Sequence, residues 1–380
     1  MKKILYIMTI PWGWIKQRPH FLAEELSDYF WVDVYYKKAN HIIKYKERPV
    51  IGIDHPKLTI SSFRIIPFHA IPIMRKMQLD FVNNILLRIQ LPNLRKYDYI
   101  YIASPNLYGI IQKNIPKDIK VIYDCMDDYA EFSDVKSDRR SYDLVLKNER
   151  ILLQNADYVI CSAEYLKNKI FKRASIKSAR ALIVNNAIEL PKEGISSIVP
   201  YDVQKMSDLL RSCSKSLVYV GAISEWFDFD TIIDALDADK RLNAVLIGPV
   251  IVGSGVVVPK HDRLHVLGSV QRQYIFHLME LATVLVMPFK VMELVKSVNP
   301  VKLYEYIYTG KPVIASRYSE TEKFSEYVHL YSTSKEFIDI INSIVDVPVP
   351  NDYIDKCRAF INQNTWKERA SAIADYICDK

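Results

Sequence analysis

Lys302 and Glu305 lie three residues apart in the run PFKVMELVKSVNPVKLYEYIYTGKPVIAS, Pro288 to Ser316. Asn299 stands where a helix cap belongs and Pro300 in the first turn, while Leu303, Tyr304, Ile307 and Tyr308 recur at helical spacing. Lys302, beside Val301, therefore falls in the first turn, where N–H groups without intrahelical partners and the positive end of the helix dipole favour an anion. An ammonium there would clamp a diphosphate, and Glu305 would accept hydrogen bonds from hydroxyls. A solvated lysine with Glu305 as its surface partner is the plainer reading, and residue type alone favours it. The second group with chemical potential is acidic: Asp124, Asp127 and Asp128 close an apolar run, where a carboxylate can act as a general base. Adjacent aspartates cannot both aim the same way, so one of the last two is expected to cap the following turn.

These residues need a scaffold. Val284 to Phe289 reads as a buried parallel strand, Gly310 and Lys311-Pro312 stop the helix, and Val313 to Ala315 opens the next strand. Strand, loop, helix, glycine and strand make one βαβ unit of an α/β protein, whose ligands bind outside the carboxyl ends of the strands. Further strands are expected at Ile4 to Met8, Trp31 to Tyr36, Tyr99 to Ala103, Lys120 to Tyr123, Tyr158 to Cys161 and Ala181 to Val184. After them come Leu217 to Val220, Ala244 to Ile247 and Leu264 to Leu267. Gly221 ends one of these, a turn where a missing side chain lets backbone approach a phosphate, with Glu225 following; Gly248 and Gly268 end two more. Asp228-Phe229-Asp230 has the form of a metal-binding D-x-D, but its place before a helix makes it a cap, and no metal or cofactor is expected.

At 380 residues the chain suits two domains. The polar, proline-bearing stretch 189–216 reads as the linker between 1–188 and 217–363. Five scattered cysteines without C-x-x-C argue for a reducing compartment, and no G-x-x-x-x-G-K-[ST] or G-x-G-x-x-G supports a kinase or dehydrogenase. Lys2-Lys3 with the short apolar run after it reads as a first strand rather than a signal peptide, and no stretch reads as a membrane span. The first 100 residues hold 16 Lys and Arg against 8 Asp and Glu, a net of +8 beside +7 for the whole chain. Such a region faces an anion, and without an RNA-binding motif a membrane or lipid diphosphate ranks above nucleic acid. Arg64 to Lys96 interleaves apolar residues with Arg75, Lys76 and Arg88, as a surface lying on a bilayer would, although a core helix with a solvated basic face has the same pattern.

The string SVNPVKLYEYIYTGKPVIAS resembles the donor-binding signature of GT-B glycosyltransferases, in particular the group 1, family 4-like and teichuronic-acid-type enzymes of bacterial surface polysaccharides. WGWIKQRPHFLAEEL, VIYDCMDDYAEF, LVYVGAISEWFDFD, RLHVLGSV and NTWKERA fall in that family's order and spacing. The resemblance implies two Rossmann-like domains facing across a cleft, with residues 364–380 as a terminal helix crossing back to the first. It implies a cytoplasmic, metal-independent transferase, peripheral on the inner face of the membrane, that moves a sugar from a nucleoside diphosphate sugar to a saccharide or lipid diphosphate-linked acceptor. Carried over residue by residue, it puts the nucleobase on backbone groups of Gly268 and Val270 and the base role on Asp127, with Asp128 in reserve. On the acceptor side it places Gln17, Arg18 and His20, with Trp12 and Trp14 either stacking on a sugar or covering the core. Lys296 or Arg18 would join Lys302 at the phosphates. Ser297 replaces the glutamate that retaining members often carry, which tilts the reading towards inversion. A sugar-nucleotide epimerase or phosphorylase of the same fold, or a non-catalytic nucleotide-sugar binder, remains the alternative.

Overall fold

The computed structural model describes residues 1–13, 16–38, 55–66, 80–177, 181–191, 199–251 and 255–378. They form two compact units, one of residues 1–186 with 366–380 and the other of residues 187–365. In the first, seven strands pair in parallel: β1 (Lys3–Met8), β2 (Trp31–Lys37), β3 (Leu58–Phe63), β4 (Tyr99–Ile102), β5 (Lys120–Cys125), β6 (Tyr158–Cys161) and β7 (Ala181–Ile183). Their order is β3-β2-β1-β4-β5-β6-β7. The second unit holds β8 (Lys215–Val220), β9 (Leu242–Ile247), β10 (Leu264–Leu267), β11 (Val284–Met287), β12 (Val313–Ser316) and β13 (His329–Tyr331), ordered β10-β9-β8-β11-β12-β13.

Each order reverses direction once, between β1 and β4 and between β8 and β11, and such switch points open a crevice at the strands' carboxyl ends. Central strands are apolar along their length because helices cover both sheet faces: Ile4, Leu5, Tyr6, Val284, Leu285, Val286 and Met287 are all fully buried. Punctuation at the strand ends is local chemistry. Gly221 and Gly248 adopt φ of +152° and +151°, conformations a side chain disfavours, and they end β8 and β9.

Two sequence expectations change here. The stretch read as a linker contains a helix, Tyr201–Ser212, whose Val203 and Leu210 are buried in the core of the second unit. Its apolar residues are too few for a clear period in sequence, yet those two suffice once the sheet offers a surface. The helix bearing Lys302 spans Val301–Tyr308 with Pro300 at the cap position, so Asn299 is not its cap. Asn299 turns inward instead: its Nδ2 donates to Glu320 Oε2 at 3.3 Å, and its Oδ1 accepts from Tyr304 at 3.3 Å.

Helix Trp366–Cys378 belongs to the first unit. Trp366 stacks on Phe21 of the helix Arg18–Leu26 with ring centroids 5.0 Å apart, Tyr99 donates to Ile377 O, and Arg369 Nε donates to Asn185 O. Among the described residues no helix is long and apolar enough to cross a membrane.

Candidate functional site

In the second unit the candidate residues gather at the switch point. Tyr219 at the end of β8 donates to Ala222 O at 2.7 Å, and Tyr306, one turn into the Lys302 helix, accepts from Val220 N–H at 2.9 Å. These bonds hold the Gly221 turn against the helix start. A β-carbon at Gly221 would lie 2.8 Å from Lys302 Nζ and closer still to Cε, and one at Gly248 would run into the Gly221 carbonyl. The sequence expectation that Gly221 offers its backbone to a phosphate is therefore corrected. Its N–H already donates to Ile247 O, and the missing side chain makes room for the lysine.

Lys302 Nζ sits 5.7 Å from the Tyr219 ring centre and 5.9 Å from that of Phe289. No ion pair or hydrogen bond reaches its ammonium among the described residues. Burial lowers its pKa, opposed by the Glu305 charge nearby. An ammonium held on aromatic faces and deprived of water without a carboxylate partner is short of an anion. Val301 and Lys302 N–H groups, in the first turn, carry no hydrogen bond among the described residues and point the same requirement at the helix start.

The bland pairing of Lys302 with Glu305 does not form. Glu305 is buried and binds Arg272 NH1 at 2.9 Å, while Arg272 Nε reaches Glu189 Oε2 at 3.1 Å. Sequence reading missed both partners: Glu189 fell in the supposed linker, and Arg272, four residues beyond Gly268, has no motif around it. Lys296 is not a second phosphate cation, because Glu293 takes it at 2.7 Å. Ser297 is buried and donates to Glu293 O. Glu225 is half-buried after β8, and Gly268 is exposed after β10 with Val270 packed on the core. Asp228 caps the helix Phe229–Ala238, accepting from Thr231 N–H and Oγ1–H. Among the described residues no three His, Cys, Asp or Glu side chains gather as a metal site.

In the first unit, Arg18 is buried, its Nε and NH2 on Asp124 at 2.9–3.2 Å and its NH1 on Val184 O at 2.8 Å. It is an internal tie between β5 and the end of β7, and neither an acceptor-facing cation nor a phosphate ligand. His20 is equally internal: Nδ1 accepts from Gln17 N–H at 3.1 Å, Nε2 reaches Pro11 O at 3.2 Å, and burial lowers its pKa to about 4. It stays neutral at physiological pH and locks the helix start for which Gln17 is the cap position. Trp12 is buried against the His20 ring, 5.1 Å centre to centre, which settles it as core cover; Trp14 lies outside the described residues.

Asp128 is fully buried and ion-paired with Arg173 at 2.8 Å and Lys169 at 3.1 Å, Arg173 also holding Glu149 at 2.6 Å. Such a pair anchors the loop and leaves no carboxylate in reserve for chemistry. Asp127 is half-buried, with no side-chain ion pair among the described residues, and Cys125 Sγ contacts its carbonyl at 3.9 Å. Burial raises its pKa to about 6; Arg18 opposes this, and Asp124 and Asp128 add to it. Of the two aspartates, Asp127 is the one without an ion pair among the described residues, and its carboxyl is pushed towards the range a general base needs.

Two all-parallel Rossmann-like sheets, each with a switch point at its centre, have the GT-B fold. No protein-family profile matches the chain. A protein of Bacillus subtilis (strain 168) that carries the name of a teichuronic acid biosynthesis glycosyltransferase, TuaH, is 27% identical over 272 residues. The match takes in 68% of this chain and 64% of the relative's length. Among solved structures, HepE of Anabaena in complex with UDP and glucose covers the whole of both chains at a TM-score of 0.68 and 17% identity. WaaG, a glycosyltransferase of lipopolysaccharide biosynthesis, aligns over 98% of this chain and 99% of its own at a TM-score of 0.65 and 14% identity. An E. coli trehalose-6-phosphate protein bound with UDP-2-fluoro glucose aligns over 98% of both at 0.71 and 11%.

Proposed function

We propose that the protein is a glycosyltransferase that moves a sugar from a nucleoside diphosphate sugar to a saccharide acceptor on a lipid diphosphate, in bacterial surface polysaccharide synthesis. The observation that carries this is the unpaired Lys302 ammonium wedged against Gly221 at the head of a helix. Breaking a sugar–phosphate bond leaves negative charge on the departing diphosphate while the sugar turns oxocarbenium-like, so fixed cations and N–H groups at the phosphates lower the barrier. Lys302 and the Val301 and Lys302 N–H groups supply them. Asp127 accepts the acceptor's hydroxyl proton, the role an inverting transfer requires. The relative's name supports a glycosyltransferase, and the UDP and UDP-sugar complexes of fold neighbours support a uridine diphosphate sugar as donor.

The test is a thermal-shift screen of nucleoside diphosphate sugars followed by product analysis. One nucleotide series should raise the melting temperature in proportion to its affinity, and an acceptor should be needed for sugar release. Binding without transfer, or product without acceptor, sinks the transferase reading and returns the alternatives of a non-catalytic binder, a phosphorylase or an epimerase.

A membrane-facing surface for the lipid acceptor has support in the first unit. The helix Asp80–Gln90 exposes Ile85 and Ile89, the latter 76% accessible. Beside it a groove of 340 Å³ is lined by Leu87, Leu91 and Ile111 together with Arg88, Arg95 and Lys113, with no acidic residue lining it among the described residues. Arg75 and Lys76 lie outside the described residues. Each basic residue near an anionic bilayer contributes about 1 kcal/mol. Changing Arg88, Arg95 and Lys113 together to serine should therefore cut co-sedimentation with phosphatidylglycerol vesicles on the order of 100-fold. An unchanged partition would leave a merely solvated face.

A further inference from the structure

A lysine of the first unit also lacks a carboxylate. Lys37 is the last residue of β2, half-buried, and among the described residues no ion pair or hydrogen bond reaches its ammonium. Burial lowers its pKa. Alternation along β2 puts Asp33, Tyr35 and Lys37 on one face, and the register with β3 sets Lys37 beside Phe63, whose carbonyl accepts from Lys38 N–H at 2.8 Å. The helix Asp80–Gln90 covers that face: its Leu87 shares one core with Phe63 and Tyr35, while Ile85 and Ile89 are exposed. On the other side β1 ends at Met8, paired with Tyr36, so Lys37 stands past the end of β1, next to the β1–β4 switch point. Ligands of open parallel sheets bind at that edge, outside the carboxyl ends of the strands. A desolvated ammonium there holds a phosphate as a point charge, and exposed apolar side chains on the same layer suit a phosphate that carries a hydrocarbon tail.

We infer that Lys37 is the cation that holds the diphosphate of the lipid-linked acceptor, at an anion site of the first unit separate from that of Lys302. The inference rests on the acceptor reading proposed above and adds to it the residue that grips the acceptor and the edge along which it lies. The order β2-β1-β4-β5 places Lys37 three strand spacings from the end of β5, about 14 Å across the sheet, and Asp127 follows that end. The diphosphate and the reacting hydroxyl therefore belong to opposite ends of the acceptor's head, with its saccharide laid along the carboxyl edge of the sheet between them.

Calorimetric titration of the full chain, saturated with UDP so that the donor site is filled, tests it with farnesyl diphosphate, farnesol and inorganic pyrophosphate as probes. Wild type should bind farnesyl diphosphate more tightly than either of the other two. Lys37→Met should weaken farnesyl diphosphate roughly 10–100-fold, the scale of one lost charge-assisted contact, while farnesol and UDP affinities stay as they were, and Lys37→Arg should keep most of the binding. A merely structural lysine would move farnesyl diphosphate and farnesol together or neither. Farnesyl diphosphate affinity unchanged in Lys37→Met overturns the role of Lys37 and leaves the acceptor class standing. Pyrophosphate bound as tightly as farnesyl diphosphate overturns the lipid as occupant, and wild type that binds no farnesyl diphosphate refutes the lipid diphosphate acceptor together with this inference. If UDP itself is refused, the donor-site reading fails separately, and the comparison of Lys37→Met with wild type is made without it. Because burial lowers the lysine's pKa, its charge opposes folding and Lys37→Met should melt no lower than wild type; should it not fold, Lys37→Gln carries the same comparison.

Discussion

Lys302→Met should lower kcat by roughly 10³-fold, the scale of losing one preorganised electrostatic contact to a developing oxyanion. The same change should leave the ligand-free protein more stable at neutral pH. A lysine whose folded pKa lies below its unfolded value opposes folding wherever it is charged, so removing it relieves the molecule at every pH below the unfolded lysine range. An inactive variant that melts higher is a signature that a lost structural contact cannot imitate. Gly221→Ala provides an independent approach to the same site, since its β-carbon would occupy the position of the lysine's terminal atoms and push the ammonium away. Steady-state kinetics with thermal melts of both variants decide the matter. Near-normal turnover in Lys302→Met would remove that residue from the chemistry.

The second large effect is at Asp127. Asp127→Asn should abolish transfer while sparing nucleotide affinity, because the carboxylate is proposed to receive the acceptor's proton and to take no part in holding the donor. Wild-type kcat/KM should climb about tenfold per pH unit up to about 6 and then level, as the base loses its proton. Stability moves the other way. A carboxyl raised from 3.8 to about 6 on folding favours the folded state only while protonated, a contribution complete below about 4 and lost as pH rises through 6. Asparagine escapes that loss, so the variant should gain about 1–2 kcal/mol over wild type at pH 7.5, allowing for partial solvent screening, and nothing at pH 4. Urea melts at the two pH values measure this. A fully active variant, or an acid limb that persists in its residual rate, would clear Asp127 of the role.

The positions of most strands and of the chemistry-bearing helix were readable from local signals, but β3, β13 and the order of strands within each sheet were not. Apolar runs such as Val284 to Met287, closed by proline, and the Gly310 stop act over a few residues, and the positions of Lys302 and Glu305 in the first turns follow from them. What failed to show was partnership between residues far apart. Arg18 reads as a free cation near the N-terminus until β5 brings Asp124 to it from 106 residues away. Asp128 reads as an alternative base until Arg173 and Lys169 close on it, and His20 as an acceptor-side residue until the fold buries it with Gln17 and Pro11 as partners.

The chain's own order of residues thus specifies two parallel sheets and where a lysine meets a helix start, because backbone propensity, hydrophobic period and glycine or proline punctuation act between near neighbours. Folding alone selects which charges neutralise one another and which is left over. A charge taken out of water must find a partner among whatever groups the topology brings within about 4 Å, and sequence distance says nothing of that. Arg18, Asp128 and Glu305 found theirs. Lys302, lodged where Gly221 has no side chain, did not, and its unmatched charge is the feature from which the proposed function follows.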